Sequence, residues 1–346
     1  MLEEYKNIIV RMPNWLGDIV MATPVLEDLR RKYPKARITA MCQESCAKLL
    51  EHNPFIDNIF IYKRPKNTFL GRGVRDVIDN IRCGNYDLGV LLTNSFSSAF
   101  WFWKAGVEYS LGYEGNMRRV FLDKPLPFPP SRHSQHLVKT YKQVLAPLGI
   151  SLSEHYPRLY ITGEEERDMD ALLDRYGVSN EDMLIGINPS AAYGEAKCWL
   201  PERFVFLVKR LLENPKVKVC LVGDQKGKGL VTEIYEKIGS ENVYNFAGNT
   251  TLRQLATLIN RCNLFITNDS GPMHMAAALR VPLLALFGST NEITTGPYKF
   301  GDVIHKHADC SPCYKRSCPR DFRCMNAIAV EDVYEKAFKI LNHLEQ

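Results

Sequence analysis

A carboxylate follows the first strand-like run of the chain, at a position suited to proton transfer. Asn7–Arg11 is typical of a buried strand, and the loop Asn14-Trp-Leu-Gly17 leads from it to Asp18 at the start of the next helix. There an aspartate either caps the free N–H groups of the helix or accepts a proton from a substrate hydroxyl as a general base. Both readings remain open on the residues alone. Pro24 predicts that this helix kinks or begins after Asp18.

A second group of polar residues has the features of an anion site. The segment Asn268-Asp-Ser-Gly-Pro-x-His274 carries the chain from a strand-like run into a helical pattern. The first N–H groups of such a helix bind phosphate well, and Gly271 lets a phosphate approach the backbone. His274 lies one turn further and can donate to a phosphate or sugar oxygen. The alternative is structural, with Asp269 as a helix cap and His274 satisfied in the core.

A long polar loop follows the strand Met183–Asn188 and contains a candidate cation. Lys197 in this loop can reach a diphosphate as a point charge, and Ser190 can form a hydrogen bond to one; a solvated surface lysine is the alternative. Gly223 and Gly288-Ser-Thr290 end two further strands, so they should line the same sheet edge. The chain has no Walker loop and no G-x-G-x-x-G after its first strand, which argues against a nicotinamide enzyme.

Short β-branched runs alternate with helical patterns from end to end, which predicts parallel sheets with crossover helices. The predicted strands are Asn7–Arg11, Arg37–Met41, Asn58–Tyr62, Asp87–Leu92, Met183–Asn188, Val217–Val222, Val243–Phe246, Leu264–Thr267 and Pro282–Phe287. Asp123–Ser131 contains four prolines, which predicts no regular structure there. A helix is expected over residues 132–148.

The predicted fold class is α/β, with two doubly wound Rossmann-like domains facing a central cleft. The first domain is expected over residues 1–165 and the second over 166–329. A C-terminal helix over 330–346 is expected to pack back on the first domain. Because ligands of such sheets bind at the carboxyl ends of the strands, the polar segments above should meet in the cleft.

Composition and charge exclude several classes of protein. The 346 residues carry 44 Lys and Arg against 39 Asp and Glu, and residues 1–150 hold 21 of the former but only 14 of the latter. The first half should therefore prefer an anionic partner, although no nucleic-acid signature accompanies the charges. The N-terminus lacks the basic start of a signal peptide, and no apolar run approaches the roughly 20 residues of a spanning helix. These features predict a cytoplasmic protein.

The cysteines predict reduced thiols, with one candidate metal site. Six of the ten are scattered, as expected in a reducing cytosol. The other four form the run Cys310-x2-Cys313-x4-Cys318-x5-Cys324, whose spacing suits a structural zinc ion, with His305 and His307 just before it. Free thiols are the alternative, and no other metal is expected. Phe100-Trp-Phe-Trp103 predicts helix packing on a sheet, with contact to a lipid surface as the alternative.

Three motifs, in order along nearly the whole chain, resemble the bacterial ADP-heptose:lipopolysaccharide heptosyltransferases (glycosyltransferase family 9), and most of all their heptosyltransferase II branch. They are Trp15-Leu-Gly-Asp18, Lys197-x-Trp199-x-Pro-Glu-x-Phe204, and Asn268-Asp-Ser-Gly-Pro-x-His274 followed by Phe287-Gly-Ser-Thr290. The resemblance implies a GT-B glycosyltransferase that inverts the anomeric carbon and requires no cofactor. It would transfer heptose from ADP-L-glycero-D-manno-heptose to the first heptose of the lipopolysaccharide inner core.

The resemblance also assigns roles to residues. Asp18 resembles the general base. The residues placed like a donor-binding set are Ser190, Lys197, Asp269, Ser270, Gly271, His274, Gly223 and Thr250. The residues expected to bind the acceptor are Asn14, Trp15, Gly17, Arg64 and Arg118. The implied partners are ADP-heptose, a heptosyl-Kdo-lipid A acceptor and the inner face of the cytoplasmic membrane. A sister enzyme with another acceptor, including a protein hydroxyl, and a non-catalytic nucleotide-sugar-binding protein remain alternatives.

Overall fold

The chain divides between Tyr160 and Ile161 into two units, slightly before the boundary predicted at residues 165 and 166. The structure is a computed structural model that describes residues 4–65 and 71–344. The division falls just before a helix that opens with a capping box, in which Thr162 and Glu165 bond each other's backbone N–H groups. The boundary is therefore marked locally by a helix start.

The first unit is built on a parallel sheet. Its described elements are β1 (Asn7–Arg11), α1 (Leu16–Lys32), β2 (Arg37–Gln43), α2 (Glu44–Ala47), β3 (Asn58–Tyr62), α3 (Arg72–Cys83), β4 (Leu88–Leu91), α4 (Phe96–Ala105), β5 (Tyr109–Tyr113), β6 (Lys124–Leu126) and α5 (Leu137–Gln143). The strand order is β3-β2-β1-β4-β5-β6, and neighbouring strands pair in parallel.

The second unit repeats this plan. Its described elements are α6 (Gly163–Arg175), β7 (Met183–Asn188), α7 (Pro201–Leu211), β8 (Val217–Leu221), α8 (Lys228–Ile238), β9 (Val243–Asn245), α9 (Leu252–Arg261), β10 (Leu264–Asn268), α10 (Gly271–Leu279), β11 (Leu283–Phe287), α11 (Glu292–Thr295), β12 (Asp302–His305), α12 (Arg323–Asn326) and α13 (Val330–Leu344). The order is β12-β11-β10-β7-β8-β9, again with parallel pairing. The predicted α/β class with two doubly wound sheets is confirmed.

Continuous apolar runs form the strands because both faces of each sheet are covered by helices. Ile8, Ile9 and Val10 of β1 are fully buried, and so are Leu284 and Leu286 of β11. Within α4, Trp101 and Phe102 lie in the core of the first unit as the aromatic run predicted, while Trp103 stays half exposed.

The terminal helix α13 places its apolar face in the core of the second unit. Val333, Ala337 and Leu341 are buried there, in the same cluster as residues of α7. The expected packing of this helix on the first unit stays a prediction.

The proline-rich segment differs from the sequence prediction. Its first part forms β6, in which Pro125 pairs opposite Gly112 of β5. This strand is the edge of its sheet, where a residue without an N–H is tolerated because that side of the backbone needs no partner. The helix expected over residues 132–148 is shorter, as α5 spans only Leu137–Gln143.

Helix α1 also begins earlier than expected and continues through Pro24. Pro24 cannot donate to the carbonyl of Val20, but the Thr23 hydroxyl donates to that oxygen at 2.8 Å. The neighbouring side chain thus satisfies the acceptor that proline leaves unpaired.

The strand orders define where ligands should bind. In each sheet the order in which strands are added reverses at a switch point, which lies between β1 and β4 in the first unit and between β7 and β10 in the second. Ligands of such sheets bind beyond the carboxyl ends of the strands at this point. Throughout the described residues, no helix combines the length and apolar character needed to span a bilayer.

Candidate functional site

Asp18 lies in the first turn of α1, at the carboxyl end of β1. Trp15, not Asp18, is the N-cap residue, so the capping interpretation of Asp18 is wrong. The carboxylate is nevertheless stabilised in its ionised form by the positive end of the helix dipole. Its Oδ1 accepts a hydrogen bond of 2.9 Å from the hydroxyl of Tyr141 on α5.

Tyr141 holds the Asp18 carboxylate in place and cannot compete for its role as a base. Burial, followed by the negative charge of Asp18 and the hydrogen bond to it, raises the pKa of Tyr141 well above its usual value. The phenol therefore stays protonated and remains a donor. Asp18 itself is half-buried, so it combines a fixed orientation with access from solvent.

Arg11 positions the loop before Asp18. This side chain is buried and donates to the Asn14 side-chain oxygen at 2.6 Å. It also lies over the ring of Tyr62, with 4.8 Å between the guanidinium carbon and the ring centroid. Asn14 is exposed, Gly17 is half-buried, and Trp15 leaves 62% of its surface exposed. The loop thus presents an aromatic face and an amide to solvent beside Asp18.

The two arginines expected to bind the acceptor differ in position. Arg64 is exposed and lies two residues after the end of β3. Arg118 is fully buried, and its guanidinium donates to the backbone carbonyls of Tyr113 and Thr93. Burial lowers its pKa to about 10. Direct contact between Arg118 and a ligand does not fit this position, because its side chain has no exposed surface; it positions the ends of β4 and β5 instead.

In the second unit, Lys197 and Asp269 form an ion pair at the carboxyl end of β10. The Lys197 ammonium donates to Asp269 Oδ2 at 2.5 Å, and the Thr290 hydroxyl donates to the same oxygen at 2.6 Å. The two charged side chains are 13% and 4% exposed. Asp269 therefore holds a cation and a hydroxyl in one place, while Lys197 offsets the negative charge that would otherwise repel a phosphate.

Asn188, the last residue of β7, joins the loops around this ion pair. Its amide nitrogen donates to the backbone oxygen of Ser190 at 3.1 Å and to the hydroxyl of Ser270 at 2.8 Å. In return the Ser190 hydroxyl donates to the Asn188 side-chain oxygen at 3.2 Å. Ser190 and Ser270, predicted separately from the sequence, are thus brought together by one buried amide.

Helix α10 begins beside these serines. Ser270 is its N-cap and forms no side-chain cap, Gly271 is its first residue, and a proline follows in the first turn. The first-turn N–H groups and the helix dipole make this helix end suitable for an anion. His274, which lies one turn in, is only 6% exposed.

Gly223 follows β8, and Thr250 lies in the loop between β9 and α9. A side chain at Gly223 would lie 3.0 Å from Val231 and 3.2 Å from the Ser190 hydroxyl, so glycine permits this close approach. Thr250 is half-buried, directly before Thr251, the N-cap residue of α9. Gly223 therefore lies beside Ser190, whereas no hydrogen bond links Thr250 to the ion pair among the described contacts, and its place in the donor site stays a prediction.

Trp199 anchors the loop that carries Lys197. This indole is 1% exposed, donates to the carbonyl of Ile328 at 3.0 Å and packs edge-on against Phe204. Its backbone N–H donates to the side chain of Asn268 at 3.0 Å. Trp199 thus fastens the Lys197 loop to the end of β10.

The cysteine-rich segment forms hydrogen bonds to two loops, the one that carries Lys197 and the one that follows β11. Ala196 N–H donates to the Arg316 carbonyl at 3.0 Å, and Tyr314 N–H donates to the Ser289 carbonyl at 2.8 Å. At Gly194, where φ is +154°, a side chain would collide with the Arg316 carbonyl. Glycine is therefore required where the segment crosses the Lys197 loop.

The four tail cysteines are free thiols, with Cys324 buried and Cys310, Cys313 and Cys318 half-buried. Burial, followed by the other three thiols, raises the pKa of Cys324. Within the described residues, however, no three of these sulfur atoms lie within 4.8 Å of one another. A tetrahedral zinc ion with bonds of about 2.3 Å needs sulfurs closer than that. Zinc binding by this run stays a prediction.

Three residues of these sites have contacts that the sequence does not predict. Thr290 follows β11, which predicts a place at the sheet edge but not its bond to Asp269. Asn188 ends β7 in the same way, but the sequence predicts no role for its amide. Tyr141 had no sequence signal, since it lies 123 residues from its partner Asp18.

Known proteins resemble this chain over most of its length. The model of glycosyltransferase family 9 (heptosyltransferase) matches residues 74–322. Lipopolysaccharide heptosyltransferase 2 of Escherichia coli K12 is 30% identical over 84% of this chain and 85% of its own. Lipopolysaccharide heptosyltransferase 3 of the same strain is 29% identical over 94% and 95%. The solved structure of E. coli ADP-heptose lps heptosyltransferase II has a TM-score of 0.83 and 26% identity, covering 98% of this chain and all of that one.

Proposed function

Because this chain belongs to glycosyltransferase family 9 (heptosyltransferase), we propose that it is a heptosyltransferase II. It transfers heptose from ADP-L-glycero-D-manno-heptose to the first heptose of the lipopolysaccharide inner core, with inversion and without a metal in the chemical step. The observation that supports this most directly is Asp18, an oriented and accessible carboxylate at a helix N-terminus. A protein that only binds a nucleotide sugar has no use for such a group.

Asp18 is the proposed general base. The acceptor hydroxyl donates to its carboxylate and loses its proton as the oxygen attacks the anomeric carbon of the heptose. The bond from that carbon to the diphosphate breaks in the same displacement, so the configuration inverts. Tyr141 orients the carboxylate through the bond to Oδ1.

The departing diphosphate needs positive charge and N–H donors, which the second unit supplies. Lys197 provides the charge, and the first turn of α10 with Ser270 and Gly271 provides the donors. Ser190, Gly223 and Thr250 complete the donor set around the nucleotide, and His274 donates to a phosphate or sugar oxygen. Asp269 holds Lys197 and Thr290.

The acceptor is bound by the first unit. Trp15 offers an aromatic face to a sugar ring, Asn14 offers hydrogen bonds, and Gly17 keeps the backbone close. Arg64 meets the carboxylates and phosphates of a heptosyl-Kdo-lipid A acceptor, in line with the positive charge of residues 1–150. Such an acceptor places the enzyme in the cytoplasm, at the inner face of the membrane.

The experiment is ADP release from ADP-heptose with EDTA present, on Kdo-lipid A that already carries one heptose. Wild type should release ADP and Asp18→Asn should not, although the variant should bind ADP as tightly as wild type. Glu44→Gln is the matched control, because Glu44 is an exposed carboxylate in the first turn of α2 after the neighbouring strand. It should turn over like wild type.

A sister heptosyltransferase is the second candidate, since heptosyltransferase 3 is nearly as similar to this chain. Turnover on an acceptor that already carries two heptoses, but not on one with a single heptose, would favour it. Donor binding without turnover on any acceptor would point to a binding protein. The proposal would be refuted if the wild-type protein neither bound the donor nor turned it over.

A further inference from the structure

Two histidines and a glutamate lie close together at β12, the edge strand of the second sheet. Glu292 is the first residue of α11, His305 ends β12 and His307 follows two residues later. One ligand atom from each lies within 4.8 Å of the other two. The His305 side chain is 3% exposed, that of Glu292 21% and that of His307 70%.

The hydrogen bonds determine which nitrogen of His305 carries a proton. The Ser311 hydroxyl donates its single hydrogen to the Gly288 carbonyl. Its oxygen lies 2.9 Å from His305 Nε2. Because the hydroxyl hydrogen is already used, Nε2 must be the donor in this contact.

The other nitrogen of His305 faces the Glu292 carboxylate. Nδ1 lies 2.7 Å from Glu292 Oε2. At this separation Nδ1 and Oε2 face each other directly, so a small adjustment of the two side chains lets both bind one metal cation through bonds of about 2 Å.

His307 adds a third ligand atom to this pair. Its Nε2 lies 3.5 Å from Glu292 Oε1, and its ring centroid is 4.1 Å from that of His305. A metal cation binds both rings in the neutral form, and the N–H of a metal-bound histidine commonly donates to a second group, as Nε2 does here.

We infer that Glu292, His305 and His307 bind a divalent transition-metal cation. Two imidazoles and one carboxylate suit zinc and its neighbours, with water in the remaining positions. The site differs from the cysteine run and from the proposed reaction centre. Its structural effect is to join the start of α11, directly after Gly288-Ser-Thr290, to the end of β12.

Cobalt(II) is a suitable probe because its absorption distinguishes nitrogen and oxygen ligands from thiolates. EDTA-treated full-length protein should bind one equivalent of cobalt with visible ligand-field bands and no sulfur charge-transfer band. Binding should raise the melting temperature, because the unfolded chain does not preserve the site. His307→Ala should weaken cobalt binding at least about tenfold and abolish this rise.

The controls separate the cluster from other ligands. His52→Ala removes an exposed histidine that, like His307, has a positive φ, and it should leave cobalt binding unchanged. Glu292→Gln tests the carboxylate, and Cys310→Ser with Cys313→Ser tests the thiols. The proposal is overturned if cobalt does not bind, if His307→Ala binds as wild type does, or if a thiolate band appears and is lost with the cysteines. His307 is largely exposed, so its variant should fold.

Discussion

Replacing Lys197 by Met should affect stability and ADP binding in different ways. The ammonium and the Asp269 carboxylate are almost buried, and among the described contacts the carboxylate would keep only the Thr290 hydroxyl as a partner. Leaving one charge of a buried pair uncompensated costs about 3–5 kcal/mol, and we expect the lower end because Thr290 still donates. The variant should therefore unfold at lower urea concentration than wild type.

The same change removes a cation from the proposed diphosphate site. A hydrogen bond to a charged group contributes about 1.5–3 kcal/mol, which corresponds to roughly ten- to a hundredfold in affinity. Asp269→Asn has the opposite consequence, because it removes a negative charge beside the phosphates and leaves Lys197 charged. ADP should bind this variant at least as tightly as wild type.

Calorimetric titration of ADP at one fixed salt concentration measures both effects, since the attraction is electrostatic and screened by ions. Lys237→Met is the matched control, because Lys237 pairs with Glu233 on the solvent side of α8 and is 46% exposed. It should change neither affinity nor stability appreciably. Unchanged ADP affinity in Lys197→Met, or an equal loss in Asp269→Asn, would refute the reasoning.

Tyr141→Phe removes the hydrogen bond to Asp18, so kcat should fall about tenfold. The acid limb of the pH–rate profile should move to higher pH, and ADP affinity should stay unchanged. Glu165→Gln should destabilise the protein at neutral pH, because hydrogen bonds from Arg253 and then Thr162 lower the pKa of Glu165 from 4.5 to about 2. A depressed pKa gives stability that is present above pH 4.5 and is lost as the pH falls towards 2, so urea unfolding of variant and wild type should converge in acid. Lys142→Met removes the buried ammonium that lies 4.0 Å from the Asp28 carboxylate and donates to the His155 carbonyl. Asp28 keeps Ser153 and His155 as partners, so the cost in urea unfolding should be about 1–3 kcal/mol.

Each of these predictions has a contradicting result. A pH–rate profile that Tyr141→Phe leaves unmoved would mean that the phenol only packs. A stability gap between Glu165→Gln and wild type that persists in acid would remove the ion pair as its cause. Lys139→Met, an exposed position on the same helix as Lys142, should be nearly neutral; an equal loss there would assign the effect to the helix.

Much of the fold could be predicted because its signals are local. Asn7–Arg11, Asn58–Tyr62 and Met183–Asn188 were predicted with the bounds that the structure has, since buried parallel strands are short apolar runs with clear ends. The strands Tyr109–Tyr113 and Asp302–His305 were not predicted. Tyr109–Tyr113 is largely buried, but Ser110 and Gly112 interrupt its apolar run. Asp302–His305 is a partly exposed edge strand, whose apolar signal is weaker.

By itself, the sequence determined the two α/β units and the segments that end their strands, because strand length, helix period and glycine or proline at a turn depend on neighbouring residues. Only the tertiary structure decided which side chains meet. Lys197 reaches Asp269 across 72 positions and Tyr141 reaches Asp18 across 123. Arg118 turned out to be interior and Glu292 to face two histidines. These contacts depend on how crossover helices bring separate strand ends to one edge, and that information lies in the packing of the whole unit.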